Sequence, residues 1–305
     1  RYGKSLHQDS MKILITGNRG FVGSETQKLL EEKGHEVIGY DLMDGFDIRD
    51  KNQFRKILVE EKPDRILHLA AVARFNEADA NPKLAAETNV VATKNIVKLA
   101  EIFHIPIVYA STGSVYMPIN REPPITEDFE AKGNSVYGCT KYMGECYIRG
   151  SANLWIALRY GHLYGPEKRM HGLIGGYLER MERGVAPIRY GGAQSNDFTY
   201  IKDVARVNML ALTAPFDKWN NVYNVGTGEE ISATAAGDLV IEIYNKYNPE
   251  NAFTGTVEQR EGRSVDPGRF VYDTSKARIM LGFIAEYDFK KGLDDMFKEE
   301  FSHAK

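Results

Sequence analysis

Tyr137 and Lys141 stand four residues apart in SVYGCTKYMGE (135–145), a stretch that reads as the start of a helix. At i and i+4 the two side chains share one helix face. A phenol with a free pKa of about 10 is a poor base near neutral pH. An ammonium on the same face favours the phenolate, which can then take the hydroxyl proton of a secondary alcohol as its carbon gives up hydride. The spacing equally suits a solvated pair, because Glu145 lies four residues past Lys141. Such a pair adds only about 0.3–0.5 kcal/mol to a helix, in the less favourable Lys-before-Glu order. The stretch alone leaves both readings open.

The elements around it narrow the choice. KILIT (12–16), EVIGYD (36–41), DRILHLAA (64–71), IPIVYAST (105–112) and LWIALRY (154–160) are apolar runs of strand length. Helix-like segments separate them, at Phe21 to Lys33, near Asn52–Glu61 and from about Lys83 to Phe103. Such alternation predicts a Rossmann-type, doubly wound parallel sheet covered on both faces. The second half is less regular and predicts a smaller, mixed α/β substrate domain. Residues 11–163 and about 196–222 are assigned to dinucleotide binding, and about 164–195 and 223–305 to substrate.

Directly after the first strand comes TGNRGFVG, with Gly17, Gly20 and Gly23 at three-residue intervals and Arg19, Phe21 and Val22 between them. Glycines here allow a tight turn and close approach of backbone to a pyrophosphate, which the new helix N-terminus then binds. Asp41 ends the second strand at the distance of a ribose-binding acid. Its carboxylate repels a 2′-phosphate and favours NAD over NADP, although the Arg19 guanidinium could pair with that phosphate.

Composition excludes several classes. With 43% hydrophobic residues, 27% charged residues and a formal net charge of −3, neither nucleic acid nor an anionic membrane is the expected partner. No apolar run approaches the roughly 20 residues that span a bilayer. Arg1–Ser10 lacks the apolar core of a signal peptide and reads as a tag or extension. Cys139 and Cys146 fit no metal or redox spacing and read as reduced thiols, so the protein is expected in the cytoplasm, with no metal site.

The ordered series TGNRGFVG, DIRD (47–50), HLAA (68–71), NVVATKN (89–95), STGSVY (111–116), YGCTK (137–141), LRYGHLYGP (158–166), NDFTYIKDVA (196–205) and NVGTG (224–228) resembles the extended short-chain dehydrogenase/reductases, in particular the NAD-dependent epimerase/dehydratase family that acts on nucleotide sugars. The resemblance covers the chain from Met11 onward. It implies that Asp47 and Ile48 flank the adenine, that Leu69, Ala70 and Ala71 line the cofactor's path, and that Tyr160 and Leu163 border the nicotinamide. Thr112 takes the family's catalytic Ser/Thr position and, with Tyr137 and Lys141, completes a triad. It orients the substrate oxygen, and Lys141 also bonds the cofactor ribose. A homodimer through a four-helix bundle is implied as well.

The family's dehydratases carry acidic residues just after the catalytic Thr, where this chain has Gly113 and Ser114. That implies a nucleotide-sugar epimerase, acting at C4, rather than a dehydratase. Two positions depart from the pattern. His162 and Asn196 replace an Asn and an Arg that contact the substrate diphosphate, and losing a bidentate guanidinium weakens an anion site. Arg189 and a protonated His162 are candidate replacements, although His162 equally suits a neutral packing residue; Arg260 matches the family's late phosphate-binding arginine, and Leu173 joins them as a substrate-binding candidate. The substrate is expected to be UDP-, GDP- or dTDP-linked. An NAD(P)H-dependent 4-ketoreductase and a non-catalytic cofactor sensor are the alternatives.

Overall fold

The structure, a computed structural model, describes residues 10–117, 122–166, 172–262 and 268–302. The N-terminal stretch before Ser10 and Pro118 of the proline-rich loop lie outside the described residues. Strands β1 (Lys12–Thr16), β2 (Glu36–Tyr40), β3 (Arg65–His68), β4 (Ile107–Thr112) and β5 (Trp155–Tyr160) are followed by short strands β6 (His162–Tyr164), β7 (Ile188–Tyr190), β8 (Ser195–Asn196) and β9 (Phe198–Tyr200). Then come β10 (Asn221–Val225), β11 (Ile231–Ser232) and β12 (Glu258–Arg260). Six of them form the expected parallel Rossmann-type sheet, in the order β10-β5-β4-β3-β1-β2. Pairing of β1 with β2 and β3, and of β3 with β4, is parallel throughout. Ile13, Leu14 and Ile15 of β1 are fully buried, each worth roughly 1.5–3 kcal/mol of transfer from water.

The intervening helices are α1 (Phe21–Glu32), α2 (Lys51–Glu61), α3 (Phe75–Ala80) and α4 (Pro82–Ala86). A π-helical turn (Glu87–Ala92) joins α4 to α5 (Thr93–Phe103), and α6 (Val136–Arg149) follows β4. The helix expected from about Lys83 to Phe103 is thus two α segments with a wider turn between them. Local chemistry sets the ends. Asp50 caps α2 by accepting from the amides of Asn52 and Gln53. Pro82 at the first position of α4 loses no helix bond, and Asn81 caps it. Further on lie α7 (Gly172–Glu182), α8 (Ile201–Thr213), α9 (Ala233–Tyr247), α10 (Ser275–Leu281) and α11 (Phe289–Ser302).

The chain divides into two compact units. The first comprises Arg1–Ala110, Ser135–Ala157 and Asn208–Asn221, and the second Ser111–Asn134, Leu158–Val207 and Val222–Lys305. Within the second, Asp197 is a buried staple. Its carboxylate accepts from the Thr227 amide (2.8 Å) and hydroxyl (2.7 Å) and from the Gly228 amide (3.0 Å). That ties the NDF segment to NVGTG. Among the described residues no helix is long and apolar enough to cross a membrane.

Candidate active site

In the first unit the glycine turn is built by sterics. Gly17 leaves β1 with φ +76°, a conformation that favours glycine, and its amide donates to the Tyr40 carbonyl (2.9 Å). A Cβ on Gly17 would lie 2.9 Å from the Ala70 nitrogen, and one on Gly23 only 2.1 Å from the Gly17 carbonyl oxygen. Turn, helix start and the Leu69–Ala71 loop therefore pack backbone to backbone. Gly20 caps α1 without a side-chain bond, and no acidic residue stands in the first turn. The early amides of α1, including those of Phe21, Val22 and Gly23, carry the positive end of the helix dipole toward an anion.

Asp41 stands just past β2 rather than inside it, as the cap of a 3₁₀ turn (Leu42–Asp44). Its carboxylate accepts from the amides of Met43 (2.9 Å) and Arg19 (3.1 Å). The Arg19 guanidinium forks onto Asp44, with both bonds at 2.8 Å. The cation that could have received a 2′-phosphate is thus already held by a carboxylate. Asp47 chelates Arg49, which holds its carboxyl below the usual range, and Ile48 beside it is buried. An uncapped helix start for a pyrophosphate and a carboxylate for a ribose diol form a donor set that fits NAD.

Helix α6 begins where Ser135 Oγ accepts the Gly138 amide (3.0 Å). That cap puts Tyr137 in the first turn, where the helix dipole favours negative charge. Lys141, one turn on, is only 3% exposed. Its Nζ lies 4.3 Å from the Tyr109 ring centroid. Burial pulls its pKa down to about 7, with Glu145 opposing. Glu145 is itself fully buried and reaches Arg149 at 3.7 Å. The solvated-pair reading of Lys141 fails on this burial.

Polar groups behind α6 fix its place. Asn89, in the π-helical turn, accepts from the Val72 amide (2.8 Å) and donates to the Val72 carbonyl (3.0 Å) and Thr140 Oγ1 (3.1 Å). His68 sits between Thr16 Oγ1 (2.7 Å) and Thr93 Oγ1 (2.9 Å). Burial first, and the Lys141 charge second, push its pKa down to about 3 and keep it neutral. Phe75 packs edge-on against the half-buried Tyr137, with ring centroids 5.2 Å apart, while 48% exposed.

The remaining candidates belong to the second unit. Thr112 is buried at the end of β4, its Oγ1 accepting from the Ser114 amide (3.2 Å) and donating to Ser114 Oγ (3.3 Å). A Cβ on Gly113 would meet both the Phe270 ring and the Tyr272 hydroxyl at 2.5 Å. These two rings take the room that a dehydratase-type acidic side chain would need. Tyr160 is buried and its carbonyl accepts from Tyr272 Oη (3.4 Å). Leu163 is half-buried opposite Thr199. His162 is exposed, its ring edge-on to Phe198 at 5.4 Å. Asn196 on β8 and Leu173 in the first turn of α7 are half-buried. Arg189 pairs with Asp238 (2.5 Å) and donates to Tyr177 Oη (3.3 Å), and Arg260 pairs with Glu258 (2.6 Å). Both candidate phosphate-binding arginines thus carry carboxylate partners.

Sequence reasoning passed over Tyr109, Phe75 and the anchoring roles of His68 and Asn89. The last two stand inside motifs already singled out, HLAA and NVVATKN. Tyr109 and Phe75 had no signal beyond being aromatic.

The sequence matches the NAD dependent epimerase/dehydratase family over residues 13–226. It is 31% identical over 305 residues to a putative UDP-glucose 4-epimerase of Methanocaldococcus jannaschii, covering 92% of this chain and 95% of that protein. The fold is similar to that of the Thermotoga maritima UDP-glucose 4-epimerase, solved with UDP-glucose (TM-score 0.85, 25% identity, 97% of this chain and 100% of that one). It is also similar to the Thermus thermophilus UDP-glucose 4-epimerase, solved with NAD (TM-score 0.81, 25% identity, 94% and 98%). The chain belongs to the NAD-dependent epimerase/dehydratase family. It is accordingly an NAD-dependent enzyme of the extended short-chain dehydrogenase/reductase type.

Proposed function

We propose that the enzyme epimerises a nucleotide-linked sugar, at C4 by the family likeness and with a UDP-linked substrate by the names of its relatives. The observation that carries the reading is the buried Lys141 one turn behind Tyr137, in a helix whose start Ser135 sets. In this reading Tyr137, as phenolate, takes the hydroxyl proton while the ring carbon becomes a ketone, and returns it when the alcohol re-forms. Lys141 favours the phenolate. Thr112 supplies a hydroxyl that orients the substrate oxygen. NAD, when bound, would supply the hydride acceptor and donor that this exchange needs. Gly17, Arg19, Gly20, Phe21, Val22, Gly23 and Asp41 would hold its adenosine diphosphate end, with Asp47, Ile48 and Leu69–Ala71 alongside, and Tyr160 and Leu163 would border the nicotinamide.

Residues 11–163 and about 196–222 serve the cofactor in this reading, and about 164–195 and 223–305 serve the substrate. Arg189, Arg260, His162, Asn196 and Leu173 are assigned to substrate binding. Both arginines would exchange their carboxylate partners for phosphate oxygens. Gly113, with Phe270 and Tyr272 against it, supports epimerisation over dehydration. We further propose a cytoplasmic homodimer.

The test is turnover on a panel of UDP-, GDP- and dTDP-sugars, with and without NAD(H) or NADP(H). An epimer formed with no net change in reduced cofactor supports the proposal. Stoichiometric NAD(P)H consumption replaces it with a ketoreductase, and no product from any sugar removes the catalytic reading.

A further inference from the structure

We propose that Tyr109 is a positioning residue for Lys141: its buried ring face holds the ammonium form of that lysine one turn behind the Tyr137 phenol. The proposal rests on the roles given above to Tyr137 and Lys141, and its test separates the two.

Tyr109 lies in the middle of β4 and is fully buried. It grips Lys141 at two points. The ring face sits 4.3 Å from Nζ, and Oη donates to the Lys141 carbonyl oxygen at 3.1 Å. The second contact fixes the ring relative to the backbone that carries the ammonium. Gly144 makes it possible, because a Cβ there would lie 2.4 Å from Tyr109 Oη and 2.9 Å from the Asn89 carbonyl oxygen. Burial alone disfavours a charged lysine, and a cation over an aromatic face is attracted more strongly when desolvated. Tyr109 itself stays a phenol, since burial drives its pKa well up.

The other groups around Lys141 leave this work to the ring. His68, on β3, is neutral and lies against the Tyr109 ring at 5.7 Å between centroids. On α6 the Glu145 carboxylate favours the ammonium but is shared with Arg149. From the π-helical turn the uncharged Asn89 amide bonds Thr140. Tyr137 and Cys146 are further titratable groups of α6 near the Tyr109 hydroxyl. When Tyr137 and Lys141 hold one proton between them, the ring favours its residence on Lys141, which leaves Tyr137 as the phenolate.

The experiment is a pH titration of the Lys141 ε-carbon by NMR in the full-length, NAD-loaded protein, with the signal assigned by its loss in Lys141→Met. Tyr109→Phe keeps the ring, and its midpoint should stay close to that of the parent. Replacing residue 109 with mono-, di- and trifluorophenylalanine keeps ring size while draining charge from the face. The midpoint should then fall stepwise, by about one pH unit across the series, a tenfold change in proton affinity. Tyr109→Leu should fall at least as far. A flat fluorination series overturns the proposal, whatever the enzyme turns over. If the midpoint falls while the acid limb of the kcat profile stays in place, Tyr109 holds its role and the assignment of Tyr137 fails instead.

Discussion

Replacing Gly23 by alanine puts a methyl group where the structure has none to spare. The added Cβ would lie 2.1 Å from the Gly17 carbonyl oxygen, 2.7 Å from Asn18 Cα and 2.9 Å from the Gly17 carbonyl carbon. All three are backbone atoms, so no side-chain rotation relieves the clash. The turn or the start of α1 has to shift by roughly 1 Å to reach ordinary contact. Such overpacking costs about 1–3 kcal/mol. The shift also strains the Gly20 amide bond to the Gly17 carbonyl (3.0 Å) and the Gly17 amide bond to the Tyr40 carbonyl (2.9 Å), at about 1 kcal/mol each. Alanine returns about 1 kcal/mol through helix propensity. The net cost is about 2–4 kcal/mol, and in the proposed reading it falls on the amides assigned to the pyrophosphate. Calorimetric titration should find NAD bound at least about 30-fold more weakly, since each 1.4 kcal/mol is a factor of ten. The thermal midpoint should drop by about 4 °C or more. Gly34→Ala is the control: it carries φ +84° with open space around it, so it strains the backbone and leaves NAD affinity unchanged. A Gly23→Ala protein that binds NAD within threefold of the parent would refute the packing account of the turn.

Tyr137→Phe should abolish turnover and keep NAD affinity within about threefold; most of the activity surviving would end its assignment as base. Asp44→Ala frees the Arg19 fork, so the NADP-to-NAD affinity ratio should rise by about tenfold, and an unchanged ratio in binding titrations would count against that ion pair as a discriminator. His68 is buried neutral, with its pKa moved from the free value of 6.5 down to about 3. Between those values the unfolded chain binds a proton that the folded one refuses, so stability is complete above pH 6.5 and lost as pH falls. The loss between pH 7 and 5 is about 2 kcal/mol. Urea unfolding at the two pH values should show His68→Gln losing that much less than the parent; equal losses would disprove the linkage.

The first strand, glycine turn and helix were legible because their signals are largely local. A strand, a glycine turn and an acid just past the next strand lie within some thirty residues, Lys12 to Asp41, and Gly23 answers to the Gly17 carbonyl six positions back, whereas Gly17 answers to Ala70, far along the chain. Tyr137 and Lys141 were legible as a pair, but their burial was not. The ring against Lys141 Nζ is that of Tyr109, 32 positions back in the chain. Asn89 reaches Thr140 across 51 positions, and Gly113 is constrained by residues 270 and 272. Side-chain spacing along a helix carries no information on such partners, which tertiary packing alone brings together. The same blindness hid the carboxylates already paired with Arg19 and Arg189.

The π-helical turn at Glu87–Ala92 fixes an angular phase. Asn89 must face Val72 and Thr140, while Thr93, just past the turn, must face His68. One residue of an α-helix rotates the chain by about 100°. Deleting a single residue between the two anchors would regularise the helix and swing either Asn89 or Thr93 off its partner. The widened turn therefore acts as a one-residue phase shifter, and the helix tolerates exchange of the exposed Val91 far better than its removal.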